Sequence, residues 1–194
     1  MADGNGSKVS GYLDHQMLIA MPGMGDPRFE KSVVFMCAHS EDGALGLIIN
    51  KPTREIRFQT LLEQLDLDVG PAQRDIRVHF GGPVEQQRGF VLHSADYGCA
   101  EGTLKIDQQF RMTATMQALE DIGQGHGPKS ALFALGYAGW GPGQLESELS
   151  HNAWLTVDAS PNLIFQVPAG QKWAASLESL GIDPMSLSAV AGRA

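Results

Sequence analysis

The sequence SVVFMCAHSEDGALGLIIN spans residues 32–50 and carries the clearest secondary-structure signal of the chain. Two apolar runs rich in β-branched residues, 32–39 and 45–50, flank a short polar segment that contains Asp42-Gly43. An Asp-Gly pair between such runs favours a tight turn with positive φ angles. The stretch therefore predicts an antiparallel β-hairpin.

Outside the hairpin, short apolar runs predict further strands, and apolar residues spaced by three and four predict short helices. Strands are expected at residues 17–21, 77–80, 89–93, 103–106, 110–113, 130–137 and 154–157. Helices are expected at residues 58–67, 112–122, 142–149, 172–180 and 185–190. Hairpins mixed irregularly with short helices favour an α+β fold over a regular βαβ alternation. We expect one domain over residues 11–194, preceded by a flexible, polar N-terminus at 1–10.

The charge balance argues against polyanionic partners. The 194 residues include 22 acidic and 14 basic side chains, which gives a formal net charge of −8 at pH 7. Such a chain repels phosphate backbones and anionic membranes on average. The densest basic stretch, Lys51, Arg54 and Arg57, is interrupted by Glu55 and is typical of a solvated loop and helix start. Direct nucleic-acid binding is therefore not expected.

Cysteine usage and hydropathy point to the cytoplasm. Cys37 and Cys99 lie far apart and without metal-ligand spacing, so neither a disulfide framework nor a zinc site is expected. Cys37 is interpreted as a small buried hydrophobic residue. No signal segment precedes residue 11, and no run of 18 apolar residues occurs. We expect a cytoplasmic protein without membrane contact, metal or cofactor.

Known catalytic motifs are missing or incomplete. Residues 123–130 approach a phosphate-binding loop, but Pro128 has no N–H to offer a phosphate, and the segment ends a helix instead of starting one. Hydrolase and metalloprotease motifs are absent from the sequence. His79 and His93 lie in apolar strands, where they either meet as a pair or serve as core residues. Glu146 and Glu148 do not share a helix face. No catalytic residue is expected.

Loops supply the candidate ligand- or partner-binding residues. Glycine-rich turns either expose backbone N–H groups to an anion or allow tight packing of the chain, and the second role is the commoner one. The candidates are Asn50, Lys51 and Pro52; Gly81, Gly82 and Pro83; and Gly139, Trp140, Gly141 and Gln144.

Several ordered motifs identify a family resemblance. They are residues 20–24 (AMPGM), 46–52 (GLIINKP), 81–84 (GGPV), 136–140 (GYAGW), 143–146 (GQLE), 152–155 (NAWL) and 180–184 (LGIDP). In this order they resemble the YqgE/AlgH family from about residue 11 onward. The resemblance implies a branched, mostly antiparallel sheet rolled into a pseudo-barrel with flanking helices. It also implies a label of transcriptional regulator linked to alginate production, tied to no known site, so no catalytic residue is carried over.

Three functions remain open on this basis. The motifs and the missing catalytic constellation favour a non-enzymatic regulatory or protein-interaction module with an unidentified protein partner. The alternative is a small-molecule-binding protein, or an enzyme of unknown class, that uses the two glycine-rich loops. Direct DNA binding is the third and is disfavoured by the charge. The oligomeric state is left open.

Overall fold

The computed structural model describes residues 11–71, 74, 76–98 and 101–187. Its strands are β1 (Gln16–Ala20), β2 (Val33–Ser40), β3 (Gly43–Ile48), β4 (Pro52–Arg57), β5 (Arg77–Phe80), β6 (Val84–Ser94), β7 (Thr103–Lys105), β8 (Phe110–Thr113), β9 (Ala131–Trp140) and β10 (Trp154–Asp158). Its α-helices are α1 (Phe58–Gln64), α2 (Met116–Gly123), α3 (Gln144–Ser150) and α4 (Lys172–Ser179). Short 3-10 or π-helical turns lie at Pro27–Phe29, Asn162–Gln166, Ala169–Gln171 and Pro184–Leu187.

The predicted hairpin is present and sits within the sheet. β2 and β3 pair antiparallel up to Ser40 and Gly43, with an irregularity between Met36 and Ala38. Gly43 has a φ of 131°, and a Cβ atom there would lie 2.3 Å from the carbonyl oxygen of Trp140. Only glycine fits this position, because the hairpin turn also touches β9.

The sheet branches at β9. The main path runs β10-β1-β2-β3-β9-β6-β8-β7, and all of these pairings are antiparallel. One edge of β9 carries β6, while its other edge carries β5 in parallel at residues 133–135 and then β3 at residues 138–140. Among the described strands, β4 pairs antiparallel with β5 alone. This branching produces the curled sheet that the family resemblance implied.

Both faces of the central strands are covered, so three apolar clusters form. Alternate residues of β1 and β2 enter different clusters, as strand geometry requires. The first packs β1–β3, β6 and β8 against α4, and includes Phe35, Leu92 and Leu177. The second packs the opposite face of β1–β3 against α3, and the third packs α1 and α2 against β5, β6 and β9. The expected α+β fold with flanking helices is confirmed.

Two local predictions were wrong. Residues 52–57 form the strand β4, although the sequence predicted a solvated loop and the start of a helix there. Met112 belongs to β8, and α2 begins only at Met116 because Thr115 caps it by accepting the N–H of Ala118. The expected flexible N-terminus at residues 1–10 and the end of the last helical turn, at 188–190, lie outside the described residues.

Candidate functional site

The loop after β5 passes directly against the bend in β9. A Cβ atom at Gly81 would lie 2.2 Å from the carbonyl oxygen of Gly136, and one at Gly82 would lie 2.0 Å from the carbonyl carbon of Tyr137. Gly136 itself has a φ of 74°, and a Cβ there would lie 2.5 Å from the carbonyl oxygen of Gly82. Glycines at these positions let two backbone segments touch. This geometry favours a packing role for Gly81 and Gly82.

A pocket of about 450 Å³, here called the aromatic pocket, opens where β9 ends and α3 begins. It brings together Pro83, Gly139, Trp140 and Gln144 of the predicted site residues. Sequence reasoning missed its other members, which include Met24, Arg28, Phe29, Glu148, His151, Asn152 and Trp154. The ring of Trp154 makes edge contacts with Phe29 at 5.7 Å and with Trp140 at 5.9 Å between centroids.

The carboxylate of Glu148 forms hydrogen bonds with three residues that line the aromatic pocket. Its Oε2 accepts the indole N–H of Trp140 at 2.9 Å and that of Trp154 at 2.8 Å. Its Oε1 accepts an N–H of Gln144 at 3.0 Å, and the Gln144 amide oxygen accepts the N–H of Gly141 at 3.1 Å. A carboxylate that accepts from three donors is held in position, and it has little capacity left to act as a general base.

Glu146 faces a different partner. The N–H of Leu13 donates to Nδ1 of His39 at 3.0 Å, so Nε2 of that ring carries the hydrogen and donates to Oε1 of Glu146 at 2.8 Å. The backbone N–H of Glu146 itself, followed by the His39 ring, holds the pKa of this carboxyl below its usual value. The two glutamates of α3 therefore have separate structural roles.

Asn50 and Lys51 anchor the segment before β2. Oδ1 of Asn50 accepts the N–H of Val33 at 2.8 Å, and its Nδ2 donates to the carbonyl oxygen of Lys31 at 2.8 Å. Nζ of Lys51 donates to the carbonyl oxygen of Arg28 at 2.7 Å. Asn50 and Lys51 thus fix the loop that forms one wall of the aromatic pocket without lining the pocket themselves.

Pro52 lies outside the aromatic pocket. It lines a separate cavity of about 760 Å³, together with Arg54, Arg57, Arg74 and Arg77. Sequence reasoning grouped Lys51 with Arg54 and Arg57 and missed Arg74 and Arg77, because only the pairing of β4 with β5 brings these segments together.

The two strand histidines have separate partners and are not joined by a hydrogen bond. Nδ1 of His79 lies 3.1 Å from the carbonyl oxygen of Arg77 and 3.3 Å from that of Phe133, and burial lowers the pKa of His79 to about 4. His93 contacts the hydroxyl of Thr113 and the carbonyl oxygen of Ser94, each at 2.8 Å, and burial lowers the pKa of His93 as well. Both are core residues.

Cys37 is buried, and its burial raises the pKa of the thiol far above the usual range, as expected for a small hydrophobic residue. Cys99 lies outside the described residues. Within the described ranges, histidine, cysteine and carboxylate side chains nowhere form a group of three or more that could hold a metal ion. Across the same part of the chain, no helix combines the length and the apolar character that crossing a bilayer requires.

The branched sheet and the α-helices that flank it define an α+β protein whose candidate pocket lies beside the strand-to-helix turn of residues 140–144. The AlgH-like family model matches residues 17–185, and the chain belongs to this family. A UPF0301 protein from Cereibacter sphaeroides is 54% identical over 182 residues, which cover 94% of this chain and 99% of that relative. A UPF0301 protein from Rhodospirillum rubrum is 50% identical, covering 96% and 97% of the two chains.

Two solved structures share the fold. The solution structure of the AlgH protein from Pseudomonas aeruginosa superposes with a TM-score of 0.77 at 41% identity and covers 100% of both chains. The crystal structure of the protein DIP2367 from Corynebacterium diphtheriae superposes with a TM-score of 0.70 at 20% identity, covering 90% and 89% of the chains. The second comparison shows the fold alone.

Proposed function

We propose that the protein is a non-enzymatic interaction module with a regulatory role, and that it binds a partner protein's segment bearing apolar side chains across the loop at residues 22–31. The observation that carries this proposal is the position of this loop between two cavities. The aromatic pocket opens on one side of the loop. An apolar groove of about 640 Å³, here called the methionine groove, opens on the other side and is lined by Pro22, Met24, Pro27, Trp173, Pro184, Met185 and Leu187, among others.

The exposed apolar side chains support a protein partner. Met185 is 82% exposed at the rim of the methionine groove, and Met24 contributes to both cavities. Methionine is flexible and polarisable, and it is common on surfaces that bind apolar side chains. Lys31 and Glu30 line the same groove, and the Lys31 ammonium lies 5.7 Å from the ring centre of Trp173. Charged residues around an apolar centre are typical of interfaces between proteins.

The loop between the cavities is held in place before any partner arrives. The guanidinium of Arg28 donates to both carboxylate oxygens of Asp26, the closest pair at 2.6 Å. The contacts of Asn50 and Lys51 described above fix the base of the loop. A loop that is ordered in advance loses less conformational entropy when a partner binds.

The chemistry of the aromatic pocket supports binding rather than catalysis. Its carboxylate, Glu148, is engaged by three donors. Nδ1 of His151 lies 2.7 Å from the carbonyl oxygen of Ser147, so that this ring nitrogen is also engaged. The polar groups of the pocket thus stabilise its own walls.

Site-specific photo-crosslinking in cells tests the proposal. Benzoylphenylalanine placed at Met24 or at Met185 is expected to crosslink the same partner protein, because both residues line the methionine groove. Leu104 is a matched control, since it is an apolar residue 41% exposed on β7, at the far end of the strand order. A crosslink from Leu104 to the same partner, or the absence of a crosslink from both Met24 and Met185, would contradict the proposal.

Two further outcomes separate the remaining possibilities. A crosslinked species of twice the mass of the chain would indicate self-association through this surface and would contradict a distinct partner. The alternative function as a small-molecule-binding protein is supported by the volume of the aromatic pocket, which lies within the range of ligand sites. That alternative predicts a rise in melting temperature with a metabolite, which the substitution Gln144→Ala reduces.

A further inference from the structure

Four arginines line the cavity that contains Pro52. This cavity, here called the arginine cleft, lies between β4, the start of α1 and β5. Arg54, Arg57, Arg74 and Arg77 line it, and none of the described residues that line it is acidic. Its apolar lining residues include Ile56, Phe58, Leu62, Ile76 and Val78. Half of the chain's eight arginines thus gather in one cleft of a protein whose net charge is −8.

The backbone pairing places two of these arginines opposite each other. Arg57 and Arg77 are direct partners in the antiparallel pair of β4 and β5. Like charges at directly opposite positions destabilise a sheet. The described residues offer no ion pair to either side chain, since the salt bridges among them involve other groups. Both arginines are exposed to solvent, which screens their repulsion, so the pairing places two positive charges side by side at a small cost in stability.

Arg74 is fixed without losing its charge. Its Nη1 donates to the carbonyl oxygen of Pro128, and its Nη2 donates to that of Lys129 at 2.7 Å. Carbonyl oxygens orient a guanidinium but do not neutralise it. The cleft therefore keeps a fixed positive charge beside the Arg57–Arg77 pair.

A second cavity of about 350 Å³ adjoins the cleft and shares Arg74, Ile76 and Arg77 with it. Lys172 also lines this cavity, and the residue is only 4% exposed. Its Nζ donates to the carbonyl oxygen of Ile164, and the described residues place no carboxylate within ion-pair distance of it. Burial lowers the pKa of Lys172 to about 8, so the side chain is mainly charged at neutral pH. A buried cation without a counter-charge is costly.

We propose that the arginine cleft and the adjoining Lys172 cavity form one binding site for a phosphorylated small molecule. Arginine forks match the geometry of phosphate oxygens, and several together can neutralise more than one negative charge. The apolar residues of the cleft provide a surface for the organic part of the ligand. The phosphate supplies the counter-charge that the arginine pair and Lys172 lack.

The shape of the site favours a small ligand over a nucleic acid. Both cavities fall within or near the volume range of small-molecule sites. Lys172 is too deeply buried to reach the backbone of a duplex that rests on the surface. The net charge of −8 adds a long-range repulsion that grows with the charge of the partner.

The test uses pyrophosphate and phenyl phosphate as probes, with sodium chloride at matched ionic strength as the solvent control. Binding is followed by NMR of the arginine Nε–H signals and by the melting temperature. Both probes are expected to shift the signals of Arg57 and Arg77 with saturation. The substitutions Arg57→Gln and Arg77→Gln are each expected to raise Kd at least tenfold, which corresponds to about 1.4 kcal/mol. Arg88→Gln is the matched control, because Arg88 lines neither cavity, and its Kd is expected to equal that of the wild type.

The melting temperature without ligand gives an independent readout. Because the Arg57–Arg77 pair is repulsive, either glutamine variant is expected to melt at or above the wild-type temperature while binding is lost. Should a glutamine variant fail to fold, Arg57→Lys keeps the charge but removes the fork, and it is expected to weaken binding severalfold. Probe effects no larger than those of sodium chloride, or equal affinity in Arg57→Gln and the wild type, would overturn the proposal. So would salt-sensitive binding of duplex DNA by a protein that ignores both phosphate probes.

Discussion

Replacing Glu148 by alanine removes the acceptor that two tryptophans share. The indole N–H groups of Trp140 and Trp154 both donate to this carboxylate, and the two residues are only 6% and 3% exposed. A buried donor without a partner costs about 1–3 kcal/mol. Water entering through the aromatic pocket can replace part of the loss, so we expect a total cost of about 3 kcal/mol for the two donors.

Urea unfolding followed by tryptophan fluorescence measures this cost. For a chain of this size, a loss of about 3 kcal/mol corresponds to a fall in melting temperature of roughly 6–12 °C. Glu148→Gln keeps one oxygen acceptor for the two indoles but presents an NH2 donor to Nε2 of Gln144, so it is expected to cost about 1–2 kcal/mol, less than the alanine variant. Glu146→Ala is the control on the same helix. Glu146 is 51% exposed, so water can reach the single donor that it leaves, Nε2–H of His39, and the expected cost is about 1 kcal/mol.

A double-mutant cycle isolates the shared acceptor. With Trp140 and Trp154 both changed to phenylalanine, the donors are gone, and Glu148→Ala is expected to lose most of its effect. The reasoning is refuted if Glu148→Ala costs no more than Glu146→Ala, or if its cost is the same in the background with both phenylalanines.

Three further predictions concern single positions. Gly82→Ala is expected to lower the free energy of unfolding in urea by about 3 kcal/mol or more, because its Cβ would meet the Tyr137 backbone at 2.0 Å. Gly143→Ala is the control. Its Cβ would lie in open space at a φ of 72°, and it is expected to cost only about 1 kcal/mol. Burial lowers the pKa of His79 to about 4, so as the pH falls below 6.5 the unfolded state takes up a proton before the folded state does. The wild-type free energy of unfolding is therefore expected to fall by about 2 kcal/mol from pH 7 to pH 5. His79→Gln should make that fall smaller, and an unchanged fall would show that other groups cause it. Lys172→Met is expected to raise the free energy of unfolding at pH 7 by about 1–3 kcal/mol, and to abolish the gain in stability expected from pH 8 to 10.5.

The hairpin of β2 and β3 could be predicted because its signal is local. Apolar, β-branched runs and the Asp42-Gly43 pair specify both the strands and the turn within 19 residues. β4 could not be predicted in the same way. Its sequence PTREIR begins with proline and is mostly exposed, so neither composition nor alternation marks it as a strand. It is a strand because β5 lies beside it, and the paired residues of β5 come 20 to 27 positions later in the chain.

The candidate site was predictable only where its residues lie close together in the sequence. The glycine-rich turn at the end of β9 was recognisable from the sequence, and it does lead to Trp140 and Gln144 at the aromatic pocket. Phe29 lies in the 3-10 turn before β2, and Trp154 begins β10. The two residues reach the pocket from segments distant in sequence, and no spacing rule connects them. Asn50 and Lys51 were predicted to contact a ligand or partner, and that contact stays a prediction, because their observed hydrogen bonds go to the chain itself.

Net charge describes the field far from a protein and says little about a cleft within it. At physiological salt the field of a surface charge is screened over about 8 Å, so an ion in the arginine cleft interacts mainly with the groups that line it. Those groups are Arg54, Arg57, Arg74 and Arg77, and none of the described lining residues is acidic. A long polyanion would extend beyond the cleft and meet the acidic remainder of the surface, whereas a small phosphorylated molecule would not. We therefore expect the charge of −8 to disfavour nucleic acid more than a small anionic ligand.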